Sequence, residues 1–334
     1  MNKISGYARL LRLPGIGALG IVPVIGALTV GVANFIDLLI VFIIGAFSCI
    51  YGFILNDYVD IELDTLVDDL KKKPLVSGIV SKKSALTTSI FLILLSFFFI
   101  SILWHRHGFD EYKFMAVLSI ILAGFFGSIY DIYGKRIVGS DFLVAISVSF
   151  VFLFGALSFG RPNEITWVIF ILTFNNILYM NAIQNGLKDA DHDYKMKVRN
   201  IALTSGVKVK GNNLTIPFSF KTFGLGIRFF SAFLLFSPFI IFNKNYYLWQ
   251  IILLAFLIII FLILSIRFLT MKTFNRTKIR KIIGIQSFLR YSLVPIMLIS
   301  IVGVKLSLIL IIFPITWYII FTPLVGEKLF KPRM

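Results

Sequence analysis

Ten apolar runs, each about as long as a bilayer is thick, decide what this chain can fold into. They fall near residues 16–33, 36–56, 85–103, 113–130, 141–159, 165–184, 223–242, 247–270, 284–303 and 306–323. A helix needs about 20 predominantly apolar residues to cross the hydrocarbon core. The 334-residue chain is 58% hydrophobic with a mean hydropathy of +0.92, more apolar surface than a soluble protein of this size can hide. Backbone groups in lipid must be satisfied within the span, which leaves helices or closed barrels. The runs are continuously apolar and lack barrel-type alternation. The reading is therefore an all-α, polytopic integral membrane protein, a single domain over 1–334. Lys3, Arg9 and Arg12 precede the first run without a small-residue cleavage site, so that run reads as a retained span. The single Cys49 lies inside a span, excludes an intramolecular disulfide and reads as a packing residue.

The formal net charge of +17 would suggest nucleic acid in a soluble chain. Its distribution gives another explanation. With the N-terminus cytoplasmic, only Arg106, Lys113, Arg161, Lys244 and Lys305 of the 33 basic residues fall on the outer side. This is a positive-inside pattern in a cell membrane, and no nucleic-acid partner is needed. Lys328, Lys331 and Arg333 extend it past the last run and favour two C-terminal spans over one kinked unit.

Against this basic background the acidic residues are concentrated. Nine of the 16 lie in Asp57–Asp69 and Asp189–Asp193. In LNDYVDIELD, Asn56, Asp57, Asp60 and Asp64 share one face if the helix continues past Leu55. Three carboxylates stacked on one face repel one another, which points to a missing cation or to a solvated acidic helix end. Asn185, Asp189 and Asp193 repeat the spacing of four after another apolar run, with Asp191 and His192 between the carboxylates. The two stretches read as two halves of one metal site. Oxygen donors without cysteine suit a hard cation such as Mg²⁺. Both stretches lie on the predicted cytoplasmic face, in the long loops 57–84 and 185–222.

A weak repeat accompanies them. Asp64 is followed by Ser77-Gly78, and Asp193 at nearly the same distance by Ser205-Gly206. Apolar span, spaced carboxylates, basic loop and Ser-Gly recur, suggesting related halves at about 1–135 and 136–270, followed by C-terminal helices at 284–323. Tyr130, Lys135 and Arg136 end the fourth span as either interfacial anchors or ligand contacts. Asn175, Asn176 and Asn181 lie within the sixth span and should face the bundle interior.

Metal-bridged carboxylates beside lysines and arginines suit a diphosphate, and an apolar cavity suits a long hydrocarbon tail. A prenyl diphosphate has both. Metal and basic residues would stabilise departing pyrophosphate, and a dry cavity would protect the allylic cation from water. A cation-coupled transporter is the competing class, but no span carries Asp or Glu near its middle.

These motifs resemble those of the UbiA superfamily of intramembrane prenyltransferases. NDYVDIELD resembles its first Asp-rich motif. KKKPLVSGIVSKKSA is similar to its basic Pro-Leu-Pro-Ser-Gly loop, with Lys73 where Arg is usual and Val76 where Pro is usual. YDIYGKR is similar to its Tyr-plus-basic segment, and KDADHDYKMKVRNIAL to its second Asp-rich motif, with Asn185 where many relatives are acidic. The motifs cover about residues 5–205. The resemblance implies a nine-helix bundle around a central cavity, here with a possible tenth span. It also implies two Mg²⁺ ions, held by Asp57, Asp60, Asp64, Asp189 and Asp193, and a prenyl diphosphate donor. Lys73, Lys135, Arg136, Lys188 and Arg199 are then candidates for phosphate contact. Asn56, Tyr130, Asn185, Asn181 and Arg12 are candidates for other substrate contacts. The acceptor is hydrophobic or phosphate-bearing. The basic second loop (Lys195, Lys197, Arg199, Lys208, Lys210) favours a glyceryl ether phosphate slightly over a quinone-precursor aromatic acid.

Overall fold

A computed structural model describes residues 3–326, so Lys328, Lys331 and Arg333 lie outside the described residues. Eight helical runs are long and apolar enough to cross a membrane: Lys3–Thr29, Phe35–Val59, Lys82–His107, Glu111–Tyr133, Glu164–Lys188, Phe218–Ile240, Leu248–Leu269 and Val304–Val325. Two other predicted spans are helical but differ in kind. Asp141–Leu157 is apolar but has only 17 residues. Arg276–Met297 has the length, but Arg276, Lys278, Arg280 and Lys281 crowd its first two turns with charge, and Arg290 adds another further along. The predicted starts of the first and ninth spans, at 16 and 284, are too late. Helix begins at Lys3 and at Arg276, because basic residues at membrane boundaries do not interrupt a helix. Gly303 (φ 84°) separates the last two predicted spans, so 284–323 is not one continuous helix: Arg276–Met297 and the short Ile299–Val302 precede the glycine, and Val304–Phe321 follows it.

The chain forms two compact units. Among the described residues the first comprises 3–133, 146–166 and 313–326. Its N-terminal run is broken twice, at Arg12 (φ 47°) and at Ile21, giving Lys3–Leu10, Leu13–Gly20 and Val22–Thr29. Pro14 and Pro23 begin the second and third pieces, where a missing N–H costs nothing. A Cβ on Gly155 would lie 1.9 Å from the Pro23 carbonyl, and one on Gly26 would lie 2.2 Å from the Phe152 carbonyl. Only glycine permits this backbone approach. Thr29 and Thr166 hydroxyls close the same crossing at 2.8 Å, and Asn163 Nδ2 donates to the Thr29 carbonyl at 2.7 Å.

Beneath the first acidic stretch lies a core of Leu10, Ile16, Ile50, Ile54, Leu75, Val80, Ala85 and Leu92, with Cys49 packed against it. Leu75 and Val80 pin the loop that follows the acidic residues, and Val80 N–H donates to the Pro74 carbonyl at 3.1 Å. The outer faces of the long helices are apolar and exposed, as at Phe91, Leu94 and Phe98. Such faces suit lipid contact.

Among the described residues the second unit comprises 134–145 and 167–312. Its sixth span is not uniform: Tyr179–Asn185 is a π-helical turn between Glu164–Leu178 and Gly186–Lys188. The long loop after it holds a small antiparallel hairpin, Lys208–Lys210 with Asn213–Thr215, turning at Gly211 (φ 57°). Helical periodicity carries no sign of it. Leu214 N–H donates to the Lys272 carbonyl at 2.8 Å and Phe274 N–H to the Asn212 carbonyl at 2.7 Å, so the 271–275 segment extends the pairing.

Candidate active site

In the first unit the helix carrying Asn56 and Asp57 runs on through Asp60 into a further turn, Ile61–Asp64. Asp60 N–H bonds the Asn56 carbonyl and Asp64 N–H bonds the Asp60 carbonyl. This continuity puts the three carboxylates on one face, as the spacing predicts. All three are buried: Asp57 is 5% exposed, Asp60 4% and Asp64 1%. Three buried carboxylates need compensation. Lys73 Nζ supplies part of it, 3.0 Å from Asp57 Oδ1 and 2.7 Å from Asp64 Oδ2. Burial works against the Lys73 charge, but the two carboxylates outweigh that cost and hold its pKa above the ordinary lysine value.

Arg12 adds a second cation at Asp57. Its left-handed backbone marks the helix break, and its guanidinium reaches Asp57 Oδ1 at 3.2 Å while lying over the Phe53 ring. Arg9, three residues earlier, instead donates from Nε to the Val325 carbonyl at 2.6 Å and serves the fold. Sequence reading missed Asp131. It is 8% exposed, and its electrostatic surroundings include Arg12, Asp60, Asn56 and Asp57. The motif YDIYGKR contained the signal, but Asp131 stands alone in it without a second spaced carboxylate. Tyr130 beside it is half-buried.

In the second unit Asp189 sits at the break between Gly186–Lys188 and Ala190–Lys195, with Lys188 Nζ 3.3 Å from its Oδ2. Asp193 accepts from Asn200 Nδ2 at 2.7 Å. Burial, and then the Asp189 charge, push Asp193 up to about 7 despite Lys135 and Lys188. Asp191 turns to Arg276, which pairs with it through Nη2, donates from Nη1 to His192 Nε2 at 2.9 Å and bonds the Lys188 carbonyl. Arg276 and Asn200 were both missed: one looked like positive-inside charge, the other like a loop residue. Asn181 donates to the Ile177 carbonyl at 3.0 Å and receives Asn185 Nδ2 at 3.3 Å, so the two amides form a short chain along the π turn. Arg199 bonds the Lys135 carbonyl through its backbone at 2.9 Å, while its side chain, like that of Arg136, is exposed. Lys195, Lys197, Lys208 and Lys210 are exposed too.

Among the described residues no three carboxylate, imidazole or thiol groups stand together as a ready metal cage. The donor chemistry nevertheless fits a hard divalent cation. Asp57 and Asp64 already converge on a single cationic atom, and every other candidate donor is a carboxylate or amide oxygen.

The UbiA prenyltransferase family model matches residues 20–288. A 4-hydroxybenzoate octaprenyltransferase of Shewanella sp. (strain W3-18-1) is 31% identical over 215 residues, 61% of this chain and 70% of that one. The corresponding enzyme of Blochmanniella pennsylvanica is 28% identical over 172 residues, 50% of this chain and 55% of that one. A UbiA homologue from Archaeoglobus fulgidus, solved with GPP and Mg²⁺, superposes with a TM-score of 0.62 at 18% identity, covering 89% of this chain and 99% of that one. A digeranylgeranylglyceryl phosphate synthase does so at 0.59 and 21% identity, covering 95% and 100%. Buried carboxylates flanked by basic residues at the ends of apolar helices thus occur here in a matching fold, and this integral membrane chain belongs to the UbiA prenyltransferase family.

Proposed function

We propose that the chain transfers a prenyl group from a prenyl diphosphate to an aromatic hydroxy acid with the help of Mg²⁺. The observation that carries this reading is the buried set Asp57, Asp60 and Asp64 with Lys73 and Arg12 against it. Asp57, Asp60 and Asp64 would hold one magnesium ion and Asp189 and Asp193 another. Bound magnesium neutralises diphosphate oxygens and the charge that grows on them as the C–O bond breaks. Lys73, which holds Asp57 and Asp64 in the structure, would be free to offer its ammonium to a phosphate oxygen once metal occupied those carboxylates. Arg12 offers a fork to the same anion. Lys188 and Lys135 serve the second stretch in the same way. Apolar helix faces keep water from the allylic cation until the acceptor carbon attacks it. The diphosphate leaves with both electrons of the broken bond, and the acceptor ring loses a proton. The N-terminus and both acidic loops face the cytoplasm in this reading, and the recurrent span, carboxylate and Ser-Gly pattern marks two related halves.

The aromatic acceptor is supported by the 31% identical relative's reaction and by the exposure of the second-loop lysines. Those lysines, which favoured a glyceryl ether phosphate in the sequence, point to water. That acceptor remains the second reading because of the basic charge itself. The test is detergent-purified protein with a radiolabelled prenyl diphosphate, Mg²⁺, and either 4-hydroxybenzoate or geranylgeranylglyceryl phosphate. Metal-dependent label in the benzoate product is expected. Label only in the ether lipid would replace the acceptor, and no donor consumption with either would remove the enzymatic reading in favour of transport.

A further inference from the structure

Arg276 makes three contacts that together bracket Asp189. Nε donates to the Lys188 carbonyl at 3.3 Å, just before that carboxylate. Nη2 pairs with Asp191, and Nη1 donates to His192 Nε2 at 2.9 Å, just after it. The bracketed stretch is where the helix breaks. Asp189, with φ −107° and ψ 5°, stands between Gly186–Lys188 and Ala190–Lys195, helices of three and six residues. Helices this short have little of their own to hold the angle between them. The guanidinium spans the break. Asp193 N–H bonds the Asp189 carbonyl at 2.9 Å, so what fixes Asp189 also fixes Asp193.

The clamp is itself held. Arg276 opens Arg276–Met297, a helix that Asn275 caps by accepting from Lys278 N–H at 3.0 Å. The residues before it pair with the 208–215 hairpin, where Asn213 bridges Thr273 beside the two hydrogen bonds already described. The hairpin is anchored by its apolar side, with Val207, Leu214 and Ile216 buried. It belongs to the same 185–222 loop as Asp189 and Asp193. The loop thus folds back, grips the 271–275 segment, and receives from the end of that segment the arginine that holds its own acidic stretch. All of these residues lie in the second unit. The guanidinium uses three nitrogens in three directions, which a lysine with one nitrogen cannot do. Asp191, two positions from each of the other carboxylates, is turned to Arg276 and leaves Asp189 and Asp193 to a metal.

We propose that Arg276 is a positioning residue for the second acidic stretch. It fixes the helix break so that Asp189 and Asp193 present their oxygens to one cation, and it touches neither the cation nor the substrate. The inference rests on the metal role given to those two carboxylates in the proposed function.

The test is a Mn²⁺ titration of full-length protein in detergent, without substrate, followed by electron paramagnetic resonance. Asp193→Asn identifies the binding event that belongs to the second stretch. Arg276→Gln should weaken that event about tenfold and leave binding elsewhere unchanged. Arg276→Lys should weaken it nearly as much, because the ammonium keeps the charge and loses the three contacts. Asp191→Asn should weaken it too, and the Asp191→Asn, Arg276→Gln double variant no further than Arg276→Gln alone. Affinity within twofold of wild type in Arg276→Gln overturns the proposal, and so does full rescue by Arg276→Lys. Should Arg276→Gln not fold, Asp191→Asn decides, and unchanged affinity there overturns the clamp. Wild type that binds Mn²⁺ through Asp193, is weakened by Arg276→Gln and transfers no prenyl group keeps the clamp and removes the proposed reaction. An active wild type whose Arg276→Gln variant binds Mn²⁺ equally well removes the clamp alone, and a wild type without Asp193-dependent binding overturns it as well.

Discussion

Asp57, Asp60 and Asp64 are more deeply buried than Asp189 and Asp193, yet their charges are better met. The first stretch has an ammonium within 3.0 Å of two carboxylates and a guanidinium on one of them. In the second, Arg276 is spent on Asp191 and His192, Asp189 has Lys188, and Asp193 accepts from a neutral amide while the charges of Lys135 and Lys188 fall short of offsetting its burial. Asp193 therefore keeps its proton until the pH reaches about 7. The lesson is that burial unsettles a carboxylate unless a cation close by outweighs it. What matters is whether a cation has been placed beside it. In the proposed function the first stretch would exchange one cation for another, and the second would gain one.

The largest expected effect breaks the first arrangement. Asp64→Asn should lower kcat/KM for prenyl transfer about 10³-fold, because it removes an oxygen that the proposed function gives to the metal, and half of the grip on Lys73. Activity within tenfold of wild type would show that Asp64 serves the fold alone. Next, Lys73→Met leaves Asp57 and Asp64 buried without their ammonium. Stability without metal should drop by about 3 kcal/mol, and Mg²⁺ should restore more of it than it adds to the wild type. Thermal melts with and without Mg²⁺ give the comparison, and equal metal responses would separate Lys73 from the cation position.

The second stretch predicts a pH signature. Without metal, the folded state keeps the Asp193 proton between about pH 4 and about 7, a range in which the unfolded chain has lost it. Stability should fall as pH rises through that window and level off above it. Asp193→Asn should flatten this component of a melting series, and a slope unchanged by the substitution would mean that another group carries it. The smallest effect sharpens the role of the neutral amide. Asn200 Oδ1 caps Ile201–Thr204 by accepting from Leu203 N–H at 2.8 Å while its Nδ2 holds Asp193. Asn200→Ala should cost about 1–2 kcal/mol, whereas Asn200→Asp should keep the cap and lose the bond to ionised Asp193.

The helical membrane architecture was legible because lipid allows so few alternatives: apolar length alone identified most of the helices. The first acidic face was legible because the spacing of Asn56, Asp57, Asp60 and Asp64 is a helical spacing, and the helix does continue. Residues that enter a site from elsewhere in the chain had no such period. Arg12 is brought to Asp57 by a left-handed break, and Asp131 and Arg276 arrive on other helices. Their surroundings are tertiary facts. The hairpin at 208–215 was hidden for a related reason: its strands of three residues are too short to show alternation.

The π turn at Tyr179–Asn185 has a consequence for how this span can change over time. A π turn amounts to one extra residue accommodated in an α-helix. Deleting a single residue there would let the turn relax to an ordinary one, but a residue lost from a straight helix would swing everything beyond it by about 100°. The span thus contains a phase adjuster, a place where the chain can gain or lose one position while Asp189 and Asp193 keep their bearing.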